Sequence, residues 1–325
     1  MLIDKHNRPV NYLRLAVTDK CNLRCTYCMP ENMTFVKKKE LLSYEEMLRI
    51  SQILAKEGVN KIRITGGEPF LRKDIIYLLK ALKSIKGIDK LAITSNATLT
   101  AQYLDELLSM DIRSFNISID SLDKERFFEI TRRDIYEDVM SCIQEMMHRD
   151  IDLRLNCVVM DGKNTTDILS FIEMTKEHKV SVRFIEEMPF NGDQSTPTLE
   201  WNYLKILEHI QSQFPEIEKL EDPQYSTSLN YKVKGFKGSF GVIPAYTRSF
   251  CGSCNRIRIT AQGLFKTCLY DQGVFNIRDF MRNGATDEQV LDIVKNALSM
   301  KSKDGYEAER NRSQQVSESM STIGG

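Results

Sequence analysis

The chain has 325 residues, of which 42% are hydrophobic and 28% charged, a composition that is ordinary for globular proteins. Its 45 basic and 45 acidic side chains give a formal net charge of zero, so global charge supports neither a nucleic acid nor a membrane partner. No stretch approaches the roughly 20 apolar residues of a membrane span, and no signal-peptide core begins the chain. We therefore expect a cytoplasmic protein whose eight cysteines serve metal or redox chemistry rather than disulfides.

Short β-rich runs alternate with amphipathic helical segments in the N-terminal part of the chain. The predicted strands cover residues 12–17, 61–65, 91–95, 114–119, 152–159 and 181–185. A capping box of Ser43 and Glu46 begins the helix after the first strand, and Gly58 ends it. Repeated strand–helix units predict a parallel sheet, and six units are too few for the eight-fold barrel. The predicted fold is α/β, a partial (βα)6 TIM-type barrel.

One face of the predicted strands is polar on strand after strand. Arginine and asparagine alternate there with the apolar residues, as in Arg14, Arg63, Asn116, Arg154 and Arg183. A parallel strand covered on both faces is normally apolar on both. A solvent-facing antiparallel sheet is the alternative, but the intervening helices argue against it. We therefore predict an arginine-rich lumen, on the inner face of the barrel, that suits a polyanionic small molecule.

The pattern changes after about Leu220, where Gly, Ser and Tyr become more frequent and short runs predict antiparallel hairpins. We divide the chain into a partial barrel, 1–220, and a C-terminal domain, 221–325, which comprises an antiparallel β extension and a tail. The last 25 residues are mostly polar, and their composition alone predicts a disordered tail.

Six of the eight cysteines form two triplets that are far apart in the sequence. A structural zinc site usually has four ligands, and the four histidines of the chain lie away from both triplets. One four-cysteine zinc site shared between the triplets is an alternative. An iron–sulfur cluster accommodates three protein ligands more naturally, because its fourth iron stays open to a substrate or cofactor. The first triplet is Cys21, Cys25 and Cys28, and the second triplet is Cys251, Cys254 and Cys268.

Several motifs together resemble the radical S-adenosylmethionine enzymes. The first triplet has the spacing C-x3-C-x2-C, with Tyr27 before its last cysteine, and TGGEP at 65–69 is similar to the glycine-rich stretch of that superfamily. The resemblance narrows to the GTP 3′,8-cyclase family of molybdenum cofactor biosynthesis. It is carried by LRLAVTDKCNLRCTYCMP, IRITGGEP, NISID, VRFIE, FCGSCNRIRI and the terminal IGG, so it covers nearly the whole chain.

The resemblance implies two 4Fe-4S clusters. The first triplet would hold the cluster that binds S-adenosylmethionine, and the second triplet the cluster that meets the guanine of GTP. Cleavage of S-adenosylmethionine would give a radical that takes the ribose 3′ hydrogen, and C3′ would then attack C8 of the base. The product would be (8S)-3′,8-cyclo-7,8-dihydroguanosine 5′-triphosphate. The positions that match S-adenosylmethionine contacts of the family are Tyr27, Gly67, Ser118 and Met188.

The resemblance also implies a set of GTP-binding residues. Four of its arginines are those that strand alternation already places in the lumen. A single arginine is more often a solvated surface charge, and Asn156 is equally consistent with a partner on a neighbouring strand. The implied set is Arg14, Arg63, Thr94, Arg154, Asn156, Arg183, Arg256 and Arg258.

The terminal Gly324 and Gly325 match the glycine pair that, in this family, reaches the active site and assists the radical step. Ala97 stands where the family usually has glycine, and a positive φ there would cost roughly 1 kcal/mol. The implied partners are GTP, a flavodoxin- or ferredoxin-like electron donor and the next enzyme of the molybdopterin pathway, with the chain a monomer or homodimer.

Two other hypotheses stay open at this point. One is a different radical S-adenosylmethionine enzyme with an auxiliary cluster, acting on a peptide or another nucleotide. The other is a structural zinc or iron–sulfur protein that serves as an interaction module. Metal and labile sulfide analysis separates the last of these, because zinc thiolate sites carry no inorganic sulfur.

Overall fold

A computed structural model describes the whole chain except residues 191–198, 315, 317 and 325. The strands in this described part are β1 (Tyr12–Ala16), β2 (Lys61–Thr65), β3 (Lys90–Ser95), β4 (Ser114–Ser118), β5 (Asp152–Val159), β6 (Ser181–Glu186), β7 (Ile217–Lys219), β8 (Leu229–Val233), β9 (Ser239–Ile243), β10 (Arg256–Ile259), β11 (Leu264–Lys266) and β12 (Phe275–Asn276). They form a single sheet in the order β12-β11-β10-β1-β2-β3-β4-β5-β6-β9-β8-β7.

The helices cover the outside of this sheet. They are α1 (Tyr44–Lys56), α2 (Ile75–Lys83), α3 (Leu104–Ser109), α4 (Lys124–Thr131), α5 (Tyr136–Met147), α6 (Asp167–Glu177), α7 (Tyr203–Gln213), α8 (Ile277–Arg282), α9 (Asp287–Ser299), α10 (Gly305–Arg310) and α11 (Met320–Ile323). Across the described ranges, no helix has both the length and the apolar character needed to cross a membrane.

Strands β1 to β6 are parallel neighbours in chain order, and at least one helix follows each of them. The predicted partial barrel is therefore confirmed. Strands β1 and β6 are not neighbours, because β10 pairs in parallel with β1 and β9 pairs in parallel with β6. The predicted antiparallel extension is divided between the two edges, as β10–β11–β12 and as β7–β8–β9.

The apolar phase of the barrel strands faces the helices and is fully buried. Leu13, Leu15, Ile62, Ile64 and Phe115 all have 0% exposed surface. Burial of one such side chain stabilises the fold by about 1.5–3 kcal/mol, so this layer holds the helices onto the sheet. The opposite phase is thereby directed into the lumen, as strand alternation predicts.

The capping box predicted for α1 is present. The Glu46 N–H donates to Ser43 Oγ at 3.2 Å, and the Ser43 N–H donates to Glu46 Oε2 at 2.7 Å. Gly58 follows the helix with φ +98°, a conformation that glycine adopts without steric cost. Local signals therefore determine where this helix begins and ends.

The C-terminal region differs from the prediction made from its composition. Its described residues form α10 and α11, and several of them pack in a second, smaller apolar cluster. Ile323 is 2% exposed and Val316 is 7% exposed. Disorder was therefore the wrong prediction for the described part of the tail, because a few apolar side chains find partners elsewhere in the chain. The buried members of this cluster are Phe190, Tyr270, Ala308, Val316 and Ile323.

Candidate active site

The two cysteine triplets lie at opposite ends of neighbouring parallel strands. The first triplet follows the carboxyl end of β1, whereas Cys251 and Cys254 precede the amino end of β10. Cys268 follows β11, which is antiparallel to β10, and so joins them at that end. A strand of five residues spans about 16 Å. The triplets therefore do not share one zinc ion, and the lumen lies between them.

The first triplet lines one pocket. Its loop is tightened by the Cys25 carbonyl, which accepts the N–H of Cys28 at 3.0 Å and of Met29 at 3.1 Å. The amide of Asn96, just after β3, donates to Cys21 Sγ at 3.6 Å. The loop after β1 thus holds three thiols at the carboxyl ends of the barrel strands, where α/β folds commonly bind their ligands.

The glycine-rich stretch at 65–69 holds the cysteine loop through backbone hydrogen bonds. The Gly67 N–H donates to the Thr18 carbonyl at 2.8 Å, and the Glu68 N–H donates to the Lys20 carbonyl at 2.7 Å. A Cβ on Gly67 would lie 2.2 Å from the Lys20 carbonyl oxygen. Only a residue without a side chain permits this approach, so Gly67 positions the cysteine loop in addition to lining the pocket.

Burial raises the pKa of the Cys21 thiol to about 11, that of Cys28 to about 12 and that of Cys25 well above its usual value. Buried thiols in such surroundings stay protonated at neutral pH unless they bind a cation. Coordination to a metal removes the proton, and the metal then compensates the thiolate charge. The donors of the first triplet therefore fit a metal centre.

The second triplet is built from a short 3₁₀ turn (Cys251–Ser253), the residue after it and the loop beyond β11. Burial raises the pKa of Cys268 to about 11. Burial also acts to raise the pKa of Cys254, but the positive charges of Arg256 and Lys301 outweigh it and lower this pKa to about 7. This triplet therefore lies in a more electropositive environment than the first one.

In the residues that the structure describes, no three His, Cys, Asp or Glu side chains converge on a single metal ion. Each iron of a 4Fe-4S cluster takes its own thiolate, so the ligands of a cluster need not converge on one point. Three thiols per site, with no fourth donor required, match that ligand pattern.

The strand register brings three lumen arginines side by side. Arg14 of β1 is the direct partner of Arg258 on β10 and of Arg63 on β2. We call Arg258, Arg14 and Arg63 the arginine row. Arg63 is oriented by bonds from its Nε to the Tyr12 hydroxyl at 2.8 Å and from its Nη1 to the Ile93 carbonyl at 2.9 Å.

The rest of the predicted GTP set continues around the lumen. Asn156 on β5 is the register partner of Arg183 on β6. Thr94 lines the pocket of the first triplet. Arg154 donates to Asp152 Oδ2 at 2.6 Å, so this arginine already has a charge partner. Arg256 lies two residues before Arg258 on the same face of β10, close to the second triplet.

Several buried polar atoms of the lumen lack a hydrogen-bond partner among the described residues. Burial and neighbouring arginines also lower the pKa of Arg183 and of Arg258 to about 9. Unpaired buried polar atoms and crowded like charges are both costly, and a bound polyanion would accept hydrogen bonds from the unpaired arginine nitrogens and compensate the crowded positive charge. The unpaired atoms are Arg14 Nε, Thr65 Oγ1, Asn116 Oδ1, Asn156 Oδ1, Arg183 Nε and Arg256 Nε.

Three of the four predicted S-adenosylmethionine contacts lie together at the first triplet. Tyr27, Gly67 and Ser118 line its pocket. Met188 does not line that pocket and instead packs against the smaller apolar cluster beneath the tail. Ala97 lies two residues after the end of β3 and has φ +66°. Glycine adopts such a positive φ more easily than alanine does.

The C-terminal tail crosses from the second apolar cluster to the first triplet. The Ser319 hydroxyl donates to the Cys28 carbonyl at 2.6 Å, and the Met320 N–H donates to the same oxygen at 3.2 Å. Gly324 reaches the ends of β1 and β2, where an added Cβ would lie 2.8 Å from Thr65 Oγ1. The predicted role of Gly325 falls outside the described residues.

Tyr12 and Lys61 belong to the site but were not predicted from the sequence, whereas Asp120 falls on the predicted polar phase of its strand without a role assigned to it. Tyr12 and Lys61 lie two positions before Arg14 and Arg63 on the same phase, so alternation could have found them. Burial acts to raise the pKa of Tyr12, but nearby cations lower it to about 7. Asp120, just after β4, has its pKa raised by burial to about 6, and its carboxyl group interacts with the Tyr27 hydroxyl.

Comparison with known proteins gives two family matches and a set of relatives. Residues 15–175 match the model of the radical SAM superfamily, and residues 180–307 match the model described as Molybdenum Cofactor Synthesis C. The chain is 41% identical over 308 residues to molybdenum cofactor biosynthesis protein 1 of Dictyostelium discoideum, with 93% of this chain and 49% of that protein covered. The chain thus spans about half the length of that relative.

Other relatives are covered more completely. A protein of Arabidopsis thaliana named "GTP 3',8-cyclase, mitochondrial" is 39% identical, with 93% of this chain and 78% of that protein covered. A protein of Clostridium perfringens named "GTP 3',8-cyclase" is 35% identical, with 91% of both covered.

Among solved structures, Streptococcus suis SuiB bound to S-adenosylmethionine has a TM-score of 0.64 to this chain. The sequence identity is 16%, with 89% of this chain and 69% of that chain covered, so the likeness concerns the fold alone. The family models and the sequence identities to these relatives together show the family of the chain. The chain belongs to the radical SAM superfamily and, within it, to the family of the GTP 3′,8-cyclases of molybdenum cofactor biosynthesis.

Proposed function

We propose that this chain converts GTP to (8S)-3′,8-cyclo-7,8-dihydroguanosine 5′-triphosphate, the first step of molybdenum cofactor biosynthesis. The observation that carries the proposal is the arginine row, Arg258, Arg14 and Arg63, which lies in a buried lumen between two cysteine triplets. The family to which the chain belongs supports the same reaction.

The first triplet would hold the 4Fe-4S cluster that binds S-adenosylmethionine, with Tyr27, Gly67 and Ser118 as contacts of that cofactor. The second triplet would hold the 4Fe-4S cluster that meets guanine. When bound, the clusters and S-adenosylmethionine supply the one-electron chemistry that removes a hydrogen atom from the ribose. Met188 is the fourth proposed contact of S-adenosylmethionine.

The chain's own residues bind and orient the nucleotide. Guanidinium groups match phosphate oxygens with two parallel hydrogen bonds each, and their charge persists when they are buried. Arg14, Arg183 and Arg258 would receive the triphosphate, because they carry unpaired donors or crowded charge. Arg63 is held by Tyr12 and therefore presents a fixed geometry. Thr94, Arg154, Asn156 and Arg256 complete the proposed set.

The tail closes the lumen on the side of the first triplet. Ser319 and Met320 donate hydrogen bonds to the Cys28 carbonyl, and Gly324 lies against Ala16 and Thr65 at the ends of β1 and β2. A closed lumen excludes water, which strengthens the charge interactions inside it and protects reactive species. We propose that Gly324 and Gly325 act at this position.

Three further features belong to the proposal. We place the boundary between the barrel and the C-terminal domain at residues 220 and 221. The electron donor would be flavodoxin- or ferredoxin-like, and the product would pass to the next enzyme of the molybdopterin pathway. The chain would act in the cytoplasm as a monomer or homodimer.

The test is an anaerobic incubation of the reconstituted protein with GTP, S-adenosylmethionine and dithionite, read by mass spectrometry. We expect 5′-deoxyadenosine together with a new species of the mass of GTP. Arg14→Met should lose this species while its iron content is unchanged, and Arg149→Met, at an exposed helix end, should behave as the parent. Production of 5′-deoxyadenosine without an isomer of GTP would contradict the substrate assignment, and neither product from fully loaded protein would contradict the reaction.

A further inference from the structure

A buried lysine lies beside the second triplet, and the proposed reaction gives it no part. The Lys301 side chain is 2% exposed. Its Nζ donates to the Arg256 carbonyl at 2.8 Å and to the Cys254 carbonyl at 3.4 Å, and lies 4.0 Å from Cys254 Sγ. A buried ammonium group is costly unless an opposite charge compensates it.

The nearby carboxylate does not supply enough compensation. Asp4 Oδ2 lies 4.0 Å from Lys301 Nζ, but it lies 2.7 Å from Arg8 Nε, which is therefore its closer partner. The Asp4 and Arg8 side chains are 0% and 8% exposed. Two buried cations thus share one carboxylate, and one positive charge is left over next to Cys254.

The surrounding hydrogen bonds hold this charge in place. Arg8 Nη1 donates to the Cys251 carbonyl at 3.0 Å and to the Lys303 carbonyl at 2.6 Å, while its Nη2 donates to the Ser302 carbonyl at 2.8 Å. The N-terminal segment, the cysteine turn and residues 301–303 therefore form one connected unit. Because Lys301 also donates to two backbone carbonyls, its ammonium group has little freedom to leave.

We propose that Lys301 is a positioning residue for the second cluster: its ammonium group compensates the charge of the Cys254 thiolate and raises the reduction potential of the cluster. The proposal rests on the proposed function, since it requires the second triplet to hold a cluster. The potential of an iron–sulfur cluster depends on nearby charge and on hydrogen bonds to its sulfurs. A fixed cation in a buried site favours the more negative, reduced state, because the surroundings screen it weakly.

The proposal predicts opposite shifts of the midpoint potential when the positive charge of Lys301 or the negative charge of Asp4 is removed. Lys301→Met removes the positive charge while keeping much of the side-chain length, so the midpoint potential should become more negative. Asp4→Asn removes the negative charge with nearly the same shape, so the midpoint potential should become more positive. A purely structural role of the unit would not produce shifts of opposite sign.

The experiment uses the full-length chain with all three cysteines of the first triplet changed to alanine, so that only the second cluster contributes a signal. Iron and sulfide are quantified, and the midpoint potential is measured by a mediated redox titration followed by electron paramagnetic resonance. Lys234→Met is the matched control, because it removes the same charge from an exposed pair with Glu216 far along the sheet. This control should have the potential of the parent.

Opposite shifts in Lys301→Met and Asp4→Asn support the proposal. Unchanged potentials in both, or shifts of the same sign, overturn it while leaving the proposed function intact. If Lys301→Met does not retain its cluster, Asp4→Asn decides: a more positive potential supports the proposal, and an unchanged one overturns it. A parent protein that binds no iron and sulfide at the second triplet overturns the proposed function, and this inference with it.

Discussion

Arg258 Nη1 donates a hydrogen bond to the carbonyl oxygen of Gly324 at 2.7 Å. The described part of the C-terminal tail therefore contacts a side chain of the arginine row, which we propose binds GTP. Gly324 itself has φ +80° and lies against Ala16 and Thr65. In the proposed complex the tail and the nucleotide would share Arg258 as a partner, so the position of the tail would affect how GTP is held.

Gly324→Ala should displace the tail. The added Cβ would lie 2.8 Å from Thr65 Oγ1 and 2.9 Å from Ala16 Cβ, and a side chain at this φ is strained in any case. A displacement of about 1 Å at a reacting site can cost about 100-fold in rate, so we expect a loss of turnover of that order. The measurement is the rate of formation of the GTP isomer.

Gly284→Ala is the matched control for this prediction. Gly284 has φ +89°, but no atom lies within 4 Å of the Cβ position, so the variant has the backbone strain without the collision. We expect its turnover to equal that of the parent. Equal losses of turnover in both variants would show that backbone strain at a glycine, rather than displacement of the tail, accounts for the effect.

Arg312→Met should loosen the tail. Arg312 is 5% exposed, pairs with Glu318 at 2.7 Å and donates to the Asp271 carbonyl at 3.0 Å. Breaking a buried ion pair from one side costs about 3 kcal/mol, so the amides of residues 319–324 should exchange with solvent about 100-fold faster. Hydrogen–deuterium exchange read by mass spectrometry tests this.

The exposed pair of Lys234 and Glu216, at 3.0 Å, provides the control, because an exposed ion pair contributes less than about 1 kcal/mol. Lys234→Met should leave exchange in the tail unchanged. Parent-like exchange in Arg312→Met would contradict the anchoring role of this ion pair.

Tyr12 should ionise near neutral pH. Burial acts to raise its pKa, but Arg63, Arg14 and Lys61 outweigh burial and lower the pKa to about 7. Metal-free protein should therefore show one tyrosine that gains ultraviolet tyrosinate absorbance near pH 7, and Tyr12→Phe should lose this transition. Tyr44→Phe should keep it, since burial raises the pKa of Tyr44 to about 12.

The sign of the effect on stability follows from the same shift. The pKa of Tyr12 in the folded chain is lower than that of an unfolded tyrosine, about 10, so the phenolate favours folding. Its contribution is fully present above pH 10 and is lost as the pH falls through about 7. Inorganic triphosphate should raise the pKa of Tyr12, because an anion on the arginines competes with the phenolate. An unchanged pKa would contradict triphosphate binding at the arginine row.

Single cysteine variants should divide into two classes by metal content. The parent should hold about eight irons with an equal amount of labile sulfide, whereas Cys25→Ser and Cys254→Ser should each retain about four, because each variant loses one cluster. Cys142, buried in α5 away from both triplets, should tolerate Cys142→Ser with full metal content. Zinc without labile sulfide in the parent would contradict both clusters.

Elements were predictable from the sequence where their signals are local. The predicted strands 61–65 and 152–159 coincide with β2 and β5, and the capping box of Ser43 and Glu46 begins α1 where it was expected. Strand alternation also assigned Arg14 and Arg63 to the inner face, because successive side chains of a strand point to opposite faces.

Long-range partners were not predictable in this way. Composition alone predicted a disordered tail, yet Ile323 packs in an apolar cluster that includes Phe190 and Tyr270, which lie far from it in the sequence. These deciding contacts come from parts of the chain that no local window around Ile323 contains.

The sequence by itself determined the two cysteine triplets, the boundaries of α1 and the face of each barrel strand, since these depend on neighbouring residues along the chain. Only the tertiary structure decided that β10 lies beside β1, which places Arg258 next to Arg14 and puts the triplets at opposite ends of the lumen. It also brought Lys301 to Cys254 and Gly324 to Arg258. Such pairings join residues that are far apart in the sequence, so they depend on how all the elements pack around the common core rather than on any local signal.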